Sequence, residues 1–171
     1  MFTYHVQSWD NEILDTVLRS NVSTIKVMDP DPEPIKRLLE RNSDLTVWVR
    51  PYLGFDEQQS EWIETSDRKF REDGGQRVVE RISKEFAAIQ RLLVPGRFVA
   101  EAINEPPVRF MWDDSPKYSA FTARFARYAS SEGIVPAGFS FAPGNLPGLG
   151  WVGAGNPAHR GPYPTFVDSL A

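Results

Sequence analysis

The stretch Glu101-Ala102-Ile103-Asn104-Glu105-Pro106 decides how this chain is to be read. It closes an apolar run, and residues 97–103 have the length and composition of a buried strand. Side chains alternate across a strand, so Glu101, Ile103 and Glu105 share one face while Ala102 and Asn104 share the other. An ionised glutamate inside a parallel strand is costly unless it is paired or sits at an open end. Glu101 therefore calls for a cation, and Arg50 and Lys26 are the two candidates. Glu105 comes last and is braced by Pro106, at the point where a strand presents a group to whatever lies beyond it. Partial burial raises a carboxyl pKa there, which is the condition for donating a proton near neutral pH.

Outward from this strand, short apolar runs alternate with longer amphipathic stretches, the mark of βα units. Residues 2–6, 24–28 and 45–49 read as the first three strands, and residues 134–142 as a fifth. A first helix starts behind Asp10 or Asn11 and carries Ile13, Leu14, Val17 and Leu18 on one face. Asp31 precedes a second, with Ile35, Leu38 and Leu39 in register. Val78, Ile82, Phe86, Ile89 and Leu93 mark one long third helix stopped by Pro95-Gly96. Tyr118, Phe121, Phe125 and Tyr128 mark a fourth, ended by Gly133. Residues 56–77 are rich in charge and read as a solvated insertion, while residues 146–171 are rich in Gly and Pro.

Five strands alternating with helices imply a parallel sheet, either open and doubly wound or part of a closed eight-stranded barrel. No glycine-rich phosphate loop follows the first strand, which weighs against a nucleotide-binding open sheet. Polar and aromatic residues follow every strand instead: Trp9, Asp29, Arg50 with Tyr52, Asn104 with Glu105, and Asn145. Groups at successive strand ends are what a barrel active site requires. The expected fold is α/β, a parallel (β/α) barrel incomplete in this chain, with residues 1–171 as one partial domain.

Composition narrows the function. The 171 residues carry 19 basic and 23 acidic side chains, for a net charge of −4, with no basic cluster to attract nucleic acid. There is no cysteine, so disulfides, thiolate catalysis and cysteine zinc sites are excluded together. His5 and His159 are far apart and form no His-x-x-x-His pair, and no serine has a nucleophile-elbow context. No signal peptide is visible, and no apolar run approaches the roughly 18–20 residues that cross a bilayer. The chain reads as soluble, with neither membrane nor nucleic acid as a partner and its compartment open.

Glu-x-x-Asn-Glu-Pro at the end of a fourth strand, as in Glu101 to Pro106, resembles the signature of clan-A glycoside hydrolases. The resemblance implies an eight-stranded barrel that hydrolyses a β-linked glycan or glycoside with retention. It makes Glu105 the acid/base, Asn104 the contact to the sugar 2-hydroxyl and Glu101 the interior acid of the strand. The nucleophile would be a second Glu near the end of the seventh strand, and no metal or organic cofactor is implied. The likeness covers strands one to five. A full barrel takes ~250 residues, so the nucleophile is expected outside this sequence and the chain alone is expected to be inactive.

Around Glu105, Arg50, Trp9, Trp112, Tyr52, Asp29 and Asn145 are the candidate sugar contacts. Each has a plainer reading: Arg50 as a rim salt bridge, Asp29 as a cap of the second helix, and any one aromatic as simple packing. Trp48, in mid-strand, reads as core, and His5 as a hydrogen-bonded interior residue ahead of a substrate contact. Two rival functions stand beside the hydrolase. One is a carbohydrate-binding or degenerate barrel that does no chemistry. The other is a lyase or aldolase, which would want a strand-end lysine where only Lys26 lies in a strand.

Overall fold

A computed structural model of the protein describes residues 3–51, 74–102 and 115–137. Its elements run β1 (Thr3–Val6), α1 (Asn11–Ser20), β2 (Thr24–Val27), α2 (Pro32–Arg41), β3 (Thr46–Val49), α3 (Gly74–Glu85), α4 (Ala87–Gln90), β4 (Phe98–Glu101), α5 (Ser115–Ser131) and β5 (Val135–Ala137). The strands form one sheet in the order β1-β2-β3-β4-β5, each parallel to the next. The expected α/β class and parallel sheet are therefore present.

Local chemistry sets the element ends. Asp10 caps α1 by accepting the Ile13 N–H at 2.7 Å, and Asp31 caps α2 by accepting that of Glu33 at 3.0 Å. Pro32 follows at the first turn of α2, where a missing N–H costs nothing. At the end of α5, Gly133 takes a left-handed φ of 70°. Its N–H reaches Ser130 O and the Ile134 N–H reaches Ala129 O, a Schellman closure that also buries Ile134.

The helix expected to run unbroken through Leu93 is bent at Phe86, whose φ and ψ of −105° and 14° interrupt α3 before α4. The ladder survives the bend, because Phe86 N still bonds Ile82 O and Gln90 N bonds Phe86 O, each at 2.9 Å. The apolar spacing is kept, with Phe86 and Ile89 wholly buried.

One sheet face and all the longer helices build a single core. Val6, Ile25, Val27, Val47, Val49, Phe98, Ala100 and Ala102 lie in one cluster with residues from α1, α2, α3, α4 and α5. The alternating residues His5, Lys26, Trp48 and Glu101 fall on the opposite face. Trp48 is a correction to the reading above: it is half-buried and outside the core cluster, because its register partners are Lys26 and Val99. The described strand β4 is buried along its whole length, Glu101 included.

The N-terminal edge of the sheet is tied by side chains. Arg97 donates to Thr46 Oγ1 at 3.1 Å and meets Asp44 at 3.4 Å, and Asn42 donates to Val22 O at 3.0 Å.

Helices α3 and α5 cross at Gly75. A Cβ added there would stand 2.5 Å from Phe125 N and 2.9 Å from Phe121 O, both backbone atoms that cannot turn aside. In a free helix, Gly→Ala is worth up to ~1 kcal/mol of stabilisation. Here Gly75→Ala should instead lose about 1–3 kcal/mol by forcing the helices apart. Urea unfolding measures this, and a gain in stability would show that the helices do not cross so closely.

Candidate active site

In a parallel sheet all strands end on the same edge, so the residues after β1, β2 and β3 gather there. The Trp9 N–H donates to Asp29 Oδ2 at 3.2 Å, and Arg50 Nη2 donates to Met28 Sδ at 3.1 Å. Three successive strand ends are thus in contact. Tyr52, Asn104, Glu105, Trp112 and Asn145 lie outside the described residues.

Asp29 is neither the helix cap nor a bare strand-end carboxylate. Asp31 caps α2, while the two Asp29 oxygens serve backbone N–H groups, Oδ2 that of Trp9 and Oδ1 that of Asp31 at 3.0 Å. The Trp9 ring is half-buried against the core, and its Nε1 is buried without a hydrogen-bond partner among the described residues. Such a ring anchors its loop. The buried N–H is an unsatisfied donor, an arrangement that costs free energy. Arg50 is buried, with 6% of its surface exposed.

Beneath this edge, on the face opposite the helices, lies the charged cluster. Glu101 is 2% exposed and its carboxylate is paired with the Lys26 ammonium, itself largely covered. Of the two partners the sequence allows, Lys26 is the one found. Among the described residues neither Glu101 oxygen accepts a hydrogen bond of regular geometry, so charge holds the pair. Lys26 is level with Trp48 and Val99, and Glu101 stands two residues further along β4. The pair therefore bridges over β3, across two strand spacings or ~10 Å. Burying both ions is expensive, and the arrangement stands only because each compensates the other.

His5 faces Lys26 across β1 and β2. Partial burial lowers its pKa below the ordinary 6.5, Lys26 and Arg50 lower it further, and Glu101 opposes them. The ring is nonetheless largely open to solvent, which screens these charges. It is not the enclosed hydrogen-bonded histidine expected. A shallow hollow of about 520 Å³ borders it along the outer edge of β1, lined also by Tyr4, Gln7, Glu12 and Ile13.

Among the described residues no His, Asp and Glu side chains gather in threes to hold a metal ion. Nor is any described helix long and apolar enough to cross a membrane. Sequence reasoning missed Met28 as a partner of Arg50, and nothing in an isolated thioether signals that role. The placement of Trp48 was available, since it is out of phase with Val47 and Val49. No protein-family model matches the chain, and neither a curated protein nor a solved structure shows significant similarity to it.

Two outcomes follow for stability. Lys26→Met leaves Glu101 buried without its cation and should cost about 3–5 kcal/mol, whereas Lys26→Met with Glu101→Leu should recover much of that loss. Equal losses in the single and double variants, by chemical denaturation, would contradict the pairing. For His5, a folded pKa below the unfolded one means that the unfolded chain binds more protons as pH falls through 6.5. Stability should therefore be full above that pH and decline below it, and His5→Gln should flatten this part of the profile.

Proposed function

We propose that this chain is the N-terminal part of a (β/α)-barrel glycoside hydrolase, with Glu105 as the general acid/base. The observation that carries the reading is the position of Glu101-Ala102-Ile103-Asn104-Glu105-Pro106: its first residue closes the fourth of five parallel strands taken in chain order. Two further features support it. A doubly wound sheet reverses its strand order and covers both faces, whereas here the order never reverses and the helical core lies on one face. The charged pair spanning β3 on the other face suits a sheet curved towards that side, as barrel strands are.

In this reading the substrate is a β-linked glycan held above the strand ends. Glu105 protonates the leaving oxygen and then deprotonates the incoming water. A second carboxylate ~5–5.5 Å away, supplied by a later strand, forms the glycosyl-enzyme. Asn104 contacts the sugar 2-hydroxyl. Arg50 contributes a guanidinium beside the reacting region, and Tyr52, Trp112 and Asn145 lend further contacts, with Trp9 holding the first loop. No cofactor is required.

The test uses a form of the protein that carries the second carboxylate. Glu105→Gln keeps the shape and removes the proton, so kcat on unactivated β-glycosides should fall by roughly 10²–10⁴-fold. An aryl glycoside with a good leaving group should keep its first step, accumulate the glycosyl-enzyme and regain turnover with azide. Equal slowing of both substrates, with no azide rescue, would remove Glu105 from the acid/base role. Sugar binding without turnover by the wild type would favour a carbohydrate-binding barrel instead.

A further inference from the structure

We infer that His5 is a substrate contact of the strand-end site, meeting a sugar hydroxyl from the sheet face that turns away from the helices. This rests on the glycan reading for its ligand. Val6, next in β1, is buried in the core, so alternation sets His5 on the other face, level with Lys26. The ring is exposed there, and no hydrogen bond or ion pair joins it to a described residue. On the same face Lys26 and Glu101 are taken up with each other across β3. The hollow of about 520 Å³ beside His5 runs on into the loop after β1, where Gln7 and Ser8 line it. That loop is anchored at the strand ends by the Trp9 N–H on Asp29, so the hollow leads from His5 to the edge where the site lies.

The chemistry suits a hydroxyl. A neutral imidazole carries one N–H donor and one ring-nitrogen acceptor, and a sugar hydroxyl both accepts and donates. An imidazolium offers two donors and would leave the hydroxyl proton unmatched. Partial burial, Lys26 and Arg50 hold the His5 pKa below 6.5 against the pull of Glu101, so the ring is neutral at pH 7. Glu12, in the first turn of α1, is the other ionisable carboxylate near it and lines the hollow. Gln7 and Ser8 each bring a donor and an acceptor as well, so the lining has the mixed capacity that a polyol requires.

The test is titration calorimetry on the intact protein with cellopentaose, xylopentaose and mannopentaose as probes, joined to NMR of the His5 ring. His5→Ala should weaken whichever pentaose binds by about three- to ten-fold at neutral pH, the scale of one neutral hydrogen bond, with the melting temperature there unchanged. His5→Gln keeps a donor and an acceptor and should restore part of the affinity. A ligand that prefers the neutral ring lowers its pKa by the same coupling, so the wild-type His5 titration should move down when the pentaose is added. Wild-type affinity should fall as pH drops below 6.5, and His5→Gln should lose that part of the fall. A pentaose that binds wild type and His5→Ala equally overturns the proposal and leaves the glycan reading standing. Weaker binding in His5→Ala without movement of the wild-type titration marks a structural effect and overturns it too. If no pentaose binds the wild type, the glycan reading fails and this contact fails with it.

Discussion

Each strand of this sheet lies beside its predecessor in the chain and runs the same way. A parallel neighbour cannot be reached by a tight turn, so every connection must leave one end of the sheet and return to the other. With right-handed crossovers and a strand order that never reverses, every return passes over the same face. Here that face carries Ile25, Val27, Val47, Val49, Phe98 and Ala100, packed with Ile35, Ile82, Phe86, Phe121 and Phe125 from the helices. Each buried Val, Ile or Phe side chain among these contributes about 1.5–3 kcal/mol. The burial is concentrated on one side, and the other face is released from the duty of being apolar.

What occupies that second face is unusual for a parallel strand array. Glu101 and Lys26 are covered, yet they hold opposite charges across the intervening strand. A pair of this kind adds little to stability against an apolar alternative, but it punishes misregister severely, since a one-residue slip would turn either ion into the core. His5 stands beside this pair, where Lys26 and Arg50 disfavour its protonated form and Glu101 favours it. The strand ends above are in turn knit by weak or neutral contacts, Asp29 to backbone amides and Met28 to Arg50.

How much of this was legible in advance divides by the range of the interaction. Asp10, Asp31 and Gly133 act within a few residues of themselves, and each stands at its helix end, Asp10 as one of the two caps the sequence offers for α1. The parallel alternation was equally plain, because it repeats through the chain. Phe86 was read as mid-helix, since a bend that preserves both flanking hydrogen bonds leaves the apolar spacing as it was. Trp48 reads as core from its mid-strand place, although the phase of Val47 and Val49 argues otherwise. The bond that Asp29 makes to Trp9 is not legible in the sequence: its partner lies twenty residues away and offers a backbone N–H that any residue would supply. For the site, Glu101 was foreseen as needing a cation, and the choice of Lys26 over Arg50 depends on register. Glu105, Asn104, Tyr52, Trp112 and Asn145 fall outside the described residues.

The register of the sheet also bears on how the chain assembles. Ile25 meets Tyr4 on one side and Val47 on the other, each separated by a similar length of chain, whereas Val47 must wait for Phe98. The segment to be closed there is more than twice as long, and each doubling of a flexible loop adds only ~0.6 kcal/mol of closure entropy. A ribosome releasing this polypeptide from its N-terminus would therefore deliver β1, β2 and β3 as a contiguous platform well before β4 emerges. During that interval Lys26 has no Glu101 to meet, so its ammonium stays in water and the platform remains loose on that side. Arrival of the fourth strand supplies the missing anion and the buried β4 core together, so that translation order, rather than search among distant partners, sets when the nascent sheet locks.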